Sequence, residues 1–342
     1  MKIFHRTLFI LLVFIAASCK SAQKNPTANE VSNYANSITA EELKTHLDII
    51  ASDEMEGRDT GSPGQKKAGQ YLISQYKASD VPHPTAATDY YQRIPAAFFA
   101  KSPRSKALPD SENVWAFIEG TEKPEEIVVV SAHYDHVGIK NGQIHNGADD
   151  DGSGTAALLE IAEAFMEAKK AGHGPKRSVL ILHVTGEEHG LHGSRFYSEN
   201  PLYPLANTVA DVNIDMIGRR DDIHPETNNY IYVIGADRLS TDLHKIVVEA
   251  NQKFVNLDLD FRFNAADEPN RYYFRSDHYN FAKNGIPSVF FFNGVHADYH
   301  KPSDTPEKIE YDAFTKRAKL AFLTAWEIAN REQRLVVDKD GK

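Results

Sequence analysis

The stretch SVLILHVTGEEHG, residues 178–190, decides the fold class of this chain. Its first eight residues are mostly apolar or β-branched, which is typical of a strand buried on both faces of a sheet. Two adjacent glutamates, Glu187 and Glu188, follow directly after that strand. Burying a carboxylate is costly unless a cation or hydrogen-bond donors compensate it. The stretch therefore predicts a covered sheet with a polar site near the carboxyl end of this strand.

Strands and helices alternate on both sides of this stretch, which predicts an α/β fold. The predicted strands lie in 113–120, 126–135, 178–186, 210–218, 229–236 and 286–294. The predicted helices lie in 65–78, 153–172, 239–254 and 311–332, and an earlier helix begins at a Thr39–Glu42 capping box. We predict one α/β domain with a central mixed, mostly parallel β-sheet and helices on both faces.

The N-terminus has the order of an export signal. Lys2 and Arg6 precede ten apolar residues, 8–17, too few to span a bilayer as a helix, and small residues lead to Cys19. Because AASC is similar to a bacterial lipobox, we expect residues 1–18 to be a lipoprotein signal peptide and Cys19 to be lipidated. The alternative is a plain signal peptide cut near there. Polar residues 19–37 are predicted to form a flexible tether before a catalytic domain at 38–335.

Composition excludes some functions. The 342 residues carry a formal net charge of −10, which gives no electrostatic basis for nucleic-acid binding. Cys19 is the only cysteine in the sequence, so lipidation leaves no thiol for disulfides or for zinc. We expect an exported bacterial lipoprotein that is held at a membrane through Cys19 and faces the periplasm.

Acids and histidines cluster at the predicted strand ends, where open α/β sheets bind their ligands. They are His133, Asp135, Asp149, Asp150, Asp151, Glu187, Glu188 and Asp215, and a distant loop adds His300 and Asp304. Each has a simpler interpretation on its own. A histidine beside an aspartate is common at protein surfaces, and acids before a helix stabilise its N-terminus, where Ser153 could act as a cap.

Taken together, these residues predict a metal site. Oxygen and nitrogen ligands without thiolate suit catalytic zinc. Two metals about 3.5–4 Å apart need one bridging carboxylate and a few terminal ligands. We expect that set to be His133, Asp150, Asp215, Glu188 and His300, with Asp150 as the bridge. One glutamate of the 187–188 pair would then bind metal, and the other would act as a base.

Five segments of the chain resemble the motifs of the co-catalytic dizinc aminopeptidase family, in order and over roughly residues 40–330. They are SAHYDHVG, NGADDDGSGTAALLEIA, TGEEHGLHGSRFY, VNIDMIG and DYHKPSDTPEKI. The family also includes aminopeptidase Y, glutamate carboxypeptidase II, glutaminyl cyclase and the catalytically dead transferrin receptor. The segment between Gly57 and His133 is too short for the protease-associated domain inserted in some members.

The resemblance implies a role for each matching residue. His133 and Asp215 would bind one zinc ion, Glu188 and His300 would bind the other, and Asp150 would bridge the two. It further implies that Glu187 is the general base and that Asp135 orients His133. Asp277 in RSDHY matches an acidic position near the family's active site.

Three functions follow from this resemblance. The first is a dizinc aminopeptidase acting on peptides with a free N-terminus. The second is a mono-zinc glutaminyl cyclase, an acyltransferase, and the third is a binding protein of the same fold without activity. Every expected ligand position is filled, which disfavours the third. The sequence contains neither the G-x-S-x-G nor the H-E-x-x-H pattern of other hydrolases.

Overall fold

A computed structural model describes residues 26–341 of the chain. The strands are β1 (Tyr91–Ile94), β2 (Ser111–Ile118), β3 (Lys123–His133), β4 (Ile139–Lys140), β5 (Gln143–Ile144), β6 (Arg177–Val184), β7 (Thr208–Ile214), β8 (Tyr230–Ile234), β9 (Asp258–Asp260) and β10 (Ser288–Phe292). The helices are α1 (Ala28–Ser37), α2 (Ala40–Ile50), α3 (Pro63–Ala78), α4 (Ala96–Phe99), α5 (Gly154–Lys170), α6 (His192–Glu199), α7 (Thr241–Ala250), α8 (His278–Ala282) and α9 (Tyr311–Asn330). The α/β fold class predicted from the alternating pattern is confirmed.

Eight of these strands form one mixed sheet in the order β1-β2-β6-β3-β7-β10-β8-β9. The central strands β6, β3, β7 and β10 run parallel to one another. Strands β1 and β2 pair antiparallel at one side, and β8 pairs antiparallel with β10 at the other. The chain leaves β3 toward β6 on one side and later returns to β7 on the other. This reversal opens a crevice at the carboxyl end of β3, the usual ligand position in such sheets.

Helices cover both faces of the sheet, as the continuous apolar strands predict. Alternate residues of β3 belong to different cores: Val128 and Val130 pack with residues of α5 and α9, while Val129 packs with residues of α6 and α8. A strand that points apolar side chains both ways must be covered on both sides. The sheet is therefore a rigid base for the loops that follow β3, β6 and β7.

The first helix corrects the predicted tether. Residues 28–37 form α1, whose capping box joins Thr27 and Glu30, and Val31 and Ala35 are buried against the domain. The folded domain thus begins about ten residues before the predicted boundary at residue 38. The predicted signal peptide, Cys19 and the rest of the tether to residue 25 lie outside the described residues. Among residues 26–341, no helix combines the length and apolar character needed to cross a membrane.

Candidate metal centre

The predicted site residues meet at the carboxyl ends of three neighbouring parallel strands. His133 is the last residue of β3, Asp215 directly follows β7, and Glu187 and Glu188 follow β6 after a two-residue turn. Because β6, β3 and β7 are adjacent, their ends bring these side chains together. Asp150 lies in a helical turn, Ala148–Ser153, that leads into α5.

The first cluster contains His133, Asp150 and Asp215. The Nε2 atom of His133 lies 3.2 Å from Oδ1 of Asp150 and 3.6 Å from Oδ1 of Asp215. Asp151 also belongs here, since ligand atoms of His133, Asp151 and Asp215 all lie within 4.8 Å of one another. Its Oδ1 accepts hydrogen bonds from the N–H groups of Gly154 and Met216, whereas its buried Oδ2 accepts none within the described chain. The sequence had not assigned a role to Asp151.

The second cluster contains Glu188, His300 and again Asp150. The Nε2 atom of His300 lies 3.0 Å from Oδ2 of Asp150 and 3.0 Å from Oε2 of Glu188. His136, to which the sequence motifs assign no role, also points here: its Nδ1 lies 2.8 Å from Oε1 of Glu188. The two oxygens of Asp150 therefore face the histidines of two different clusters. The structure brings all five residues of the predicted metal set to one place.

The loop that carries Asp150 is fixed by its neighbours. The carboxylate of Asp304 accepts the backbone N–H groups of Asp149 and Asp150 at 3.1–3.2 Å. The Nε2 atom of His296 lies 3.1 Å from Oδ2 of Asp149. Segment 296–304 thus supplies His300 to the site and also fixes the loop that carries Asp150.

Asp135 contacts His133 differently from the predicted pairing. His133 Nδ1 lies 3.0 Å from the backbone carbonyl of Asp135, whereas the carboxylate is 3.8 Å away. Strand β3 ends at His133, so Asp135 does not lie two positions along the same strand. Its carboxylate accepts hydrogen bonds from the hydroxyl of Thr60 and from the N–H of Glu187. Asp135 thereby positions the backbone of Glu187 as well as the ring of His133.

Hydrogen bonds from Ser276 and Asn213 hold Asp215 in place, and the buried Asp277 follows Ser276 in the chain. The hydroxyl of Ser276 donates to Oδ2 of Asp215 at 2.7 Å, and the amide of Asn213 donates to Ser276 at 2.8 Å. The neighbouring Asp277 is fully buried and accepts a hydrogen bond from the hydroxyl of Ser194. Burial raises the pKa of Asp277 to about 7, although the nearby His133 opposes this change.

Arg58 is a structural residue of the site to which the sequence motifs assign no role. Its fully buried guanidinium donates hydrogen bonds to four backbone carbonyls, those of Ile50, Tyr134, Asn146 and Gly147, at 2.7–3.0 Å. Two of these acceptors immediately precede the acidic turn, and another lies between His133 and Asp135. Arg58 therefore joins the two loops that carry the site. The sequence shows only an arginine in a polar loop, which gave no signal of this role.

The electrostatics of the site demand positive charge. Burial alone would lower the pKa of His300, but the adjacent carboxylates of Asp150 and Glu188 raise it to about 10. Burial and Asp150 both favour the neutral form of Glu188, yet His136 and His300 bring its pKa down to about 2. The anionic form of Glu188 is thus favoured by the histidines that face it. A bound divalent cation can supply that charge in place of protons.

Several buried atoms of the second cluster have no hydrogen-bond partner within the described chain. They are Asp150 Oδ2, Glu188 Oε1, His300 Nε2 and His136 Nδ1. Buried polar atoms are paired in the great majority of cases, so a group of unpaired ones needs a cause. Carboxylate oxygens and imidazole nitrogens that converge without bonding one another are the donor set that zinc takes in proteins. The residues present therefore fit a metal ion.

A pocket opens beside these clusters, and Glu187 is one of the residues that line it. Burial raises the pKa of the Glu187 carboxyl well above its usual value, although His133 opposes this rise. The pocket is small, with a cavity volume of about 40 Å³, and is lined by Asp150, Glu187, Asp215, Met216, Tyr272, Arg275, Phe290, Phe292, Val295 and Tyr299. It thus joins the acidic groups to an aromatic wall, of which Phe290 and Phe292 belong to the strand predicted in 286–294.

Comparison with known proteins gives one family. The profile of peptidase family M28 matches residues 113–325. A probable leucine aminopeptidase of Trichophyton verrucosum is 31% identical over 223 residues, which cover 64% of this chain and 57% of that protein. A probable zinc metalloprotease of Pyricularia oryzae is 26% identical over 257 residues, covering 64% of this chain and 50% of that one. The chain thus spans little more than half the length of the curated relatives it matches.

Solved structures with the same fold include a zinc aminopeptidase from Bacillus subtilis. That structure superposes with a TM-score of 0.67 at 17% identity, covering 88% of this chain and 98% of the other. A glutaminyl cyclase of Bacteroides thetaiotaomicron superposes with a TM-score of 0.63 at 16% identity, covering 84% of this chain and 98% of the other. At these identities the likeness extends to the fold, and the chemistry must be argued from the site.

Proposed function

Because the chain belongs to peptidase family M28, we propose that it is a zinc-dependent aminopeptidase that removes the first residue from peptides with a free N-terminus. The observation that carries the proposal is the position of Asp150. Its Oδ1 faces His133 at 3.2 Å and its Oδ2 faces His300 at 3.0 Å. One carboxylate between two histidine-containing clusters is the arrangement of a two-metal hydrolase.

The proposal assigns the ligands as follows. His133 and Asp215 would hold one zinc ion, Glu188 and His300 would hold the other, and Asp150 would face both. Zinc bound in such a site would polarise the carbonyl of the scissile bond and lower the pKa of its bound water toward ~7. Asp135 holds the His133 ring through its backbone carbonyl, and Ser276 holds Asp215.

Glu187 is the proposed general base. Its carboxylate lines the pocket beside Asp150 and Asp215, and burial raises its pKa well above the usual range of glutamate. A carboxyl group with a raised pKa can accept a proton from water near neutral pH and return it to the leaving amine. The hydrogen bond from the N–H of Glu187 to the carboxylate of Asp135 fixes the backbone position of Glu187.

The same pocket supports a preference for free N-termini. The free α-amino group of the substrate would reach a metal ion or a nearby carboxylate at the end of the pocket that Asp150, Glu187 and Asp215 line. The side chain of the first residue would then lie along the apolar wall that Phe290 and Phe292 provide. An N-acetylated peptide has no free amino group to place there, so it should be a poor substrate.

Mass spectrometry of a peptide pool tests the proposal. Purified protein is incubated with free, N-acetylated and glutamine-initiated peptides, with and without a chelator. Loss of single residues from free N-termini, abolished by the chelator, is the expected result. Loss of ammonia from the glutamine peptides alone would instead indicate a glutaminyl cyclase, and an unchanged pool would favour a binding protein.

Glu187→Gln tests the assignment of the base. The variant should keep its metal content but lose about 10²–10⁴ in kcat, the usual contribution of a general base. Glu163→Gln, on the exposed side of α5, is the matched control and should retain full activity. A Glu187→Gln protein with wild-type turnover would remove Glu187 from the mechanism.

We also propose that the protein is exported and anchored in a membrane through lipidated Cys19, facing the periplasm. The basis is the basic, apolar and small-residue order of residues 1–19. Peptides entering that compartment would be its substrates.

A further inference from the structure

His136 lies at the metal centre without an evident reason for its burial. Its side chain is inaccessible to solvent, and neither ring nitrogen makes a hydrogen bond to another described residue. Leaving a buried polar group unpaired costs roughly 1–3 kcal/mol. The family motifs discussed above assign one histidine to each metal, His133 and His300, and leave His136 without a role.

The position of the ring indicates what its Nδ1 atom could bind. This atom lies 2.8 Å from Oε1 of Glu188 and 3.7 Å from Oδ2 of Asp150. All three atoms are buried, and none of them makes a hydrogen bond within the described chain. The three atoms therefore face one another without the hydrogen-bond partners that buried polar groups normally have.

Ligand atoms of His136, Asp150 and Glu188 lie within 4.8 Å of one another, close enough to share one metal ion. Ligand atoms about 2.0–2.2 Å from a tetrahedral zinc ion are separated from one another by about 3.3 Å. His300 Nε2 lies 3.0 Å from Oδ2 of Asp150 and 3.0 Å from Oε2 of Glu188. The distances from His136 Nδ1, 2.8 and 3.7 Å, fall on either side of the expected separation.

The backbone around His136 holds the ring in this place. The N–H of His136 donates to the carbonyl of Arg58, and Arg58 donates in turn to the carbonyl of Gly147. Gly147 has a φ of +57°, and a Cβ atom there would lie only 2.5 Å from ring carbons of His136. The glycine therefore leaves the space that the imidazole occupies, and the position of the ring is built into the fold.

We infer that His136 is a fourth protein ligand of the metal ion held by Glu188, His300 and Asp150. This inference rests on the proposed two-metal site and extends its ligand set. A zinc position with four protein ligands is closed, whereas a catalytic position keeps a place open for water. The position that contains His136 should therefore have less room for water than one held by three protein ligands.

Zinc titration of the protein against a chromophoric chelator tests the inference without any need for peptide hydrolysis. The variant His136→Gln should lose more than about 100-fold in affinity at one of two zinc positions. His189→Gln is the matched control, since His189 lies next to Glu188 but pairs with Asp59. That control should bind zinc as the wild type does. His136→Ala is the second variant if the glutamine variant does not fold.

Two outcomes overturn the inference. Residues that merely orient a ligand change metal affinity by about 10–100-fold, so any loss of up to 100-fold would make His136 a supporting residue and not a ligand. A cobalt-substituted His136→Gln protein with an unchanged visible spectrum would contradict the inference as well, because that spectrum reports coordination geometry. Wild-type protein that binds two ions but cleaves no peptide would refute the proposed activity and leave this inference standing.

Discussion

Replacing Arg58 with methionine should destabilise the fold strongly, although the side chains have similar length. The substitution removes donors from the carbonyls of Ile50, Tyr134, Asn146 and Gly147. Each buried carbonyl left without a donor costs at least about 1 kcal/mol, so the four together predict a loss of about 4 kcal/mol in the free energy of unfolding.

Urea unfolding followed by circular dichroism measures this loss. The zinc concentration must be the same for both proteins, because a ligand that binds only the folded state shifts the apparent stability. The exposed Arg93 provides the control, since it forms a surface ion pair with Asp89. Arg93→Met should change the unfolding free energy by no more than about 1 kcal/mol.

A loss below about 1 kcal/mol in Arg58→Met would refute this reasoning. It would mean that water or other donors reach the four carbonyls in the variant, and that the two loops hold together without the guanidinium. The zinc titration described above, applied to Arg58→Met, gives a second readout. Weaker binding at both positions is expected, because the carbonyls that Arg58 anchors adjoin the ligand-bearing residues of both clusters.

Three further changes have defined outcomes. Burial lowers the pKa of His278 to about 3, so the folded protein keeps this ring neutral, while the unfolded chain protonates it below pH ~6.5. The free energy of unfolding therefore falls as the pH drops from ~6.5 toward 3. In urea unfolding, the wild type should lose about 1.5 kcal/mol more than His278→Phe between pH 6.5 and 5. Ser276→Ala removes the hydrogen bond to Asp215 and should weaken zinc binding about 10–100-fold in the chelator titration, with an unchanged affinity contradicting the role of this hydroxyl. Cys19→Ala should abolish incorporation of labelled palmitate and release the protein from membranes, whereas a variant that is still labelled would exclude Cys19 as the lipidated residue.

The central sheet could be predicted because its signal is local. Strands β3, β6 and β7 are continuous apolar runs, and only a sheet covered on both faces buries such runs. The predicted metal set followed from the same fact, since His133, Asp215 and the two glutamates come directly after those strands. Parallel strands that lie side by side end at the same edge, so sequence position alone brought these residues together.

Other features depend on contacts between distant segments, and the sequence carried little sign of them. Helix α1 has only two buried residues, Val31 and Ala35. They are buried because they pack in the core that also contains residues of α5 and α9. His136 and Arg58 lie in loops, and their roles depend on the path that each loop takes across the domain. The carbonyl of Asp135 replaced its carboxylate beside His133 because β3 ended sooner than the pattern implied.

The position of Asp150 between two clusters has a thermodynamic consequence for metal loading. A carboxylate that faces both positions gives part of its charge to whichever cation arrives first, so the second cation meets a weaker ligand. Linkage requires that each ion lower the affinity for the other by the same factor. In the proposed dizinc site the two ions should therefore leave in separate steps during chelation, and a half-loaded protein should accumulate between them. Zinc supply, and not only substrate supply, would then set how much of the protein is fully assembled in the cell.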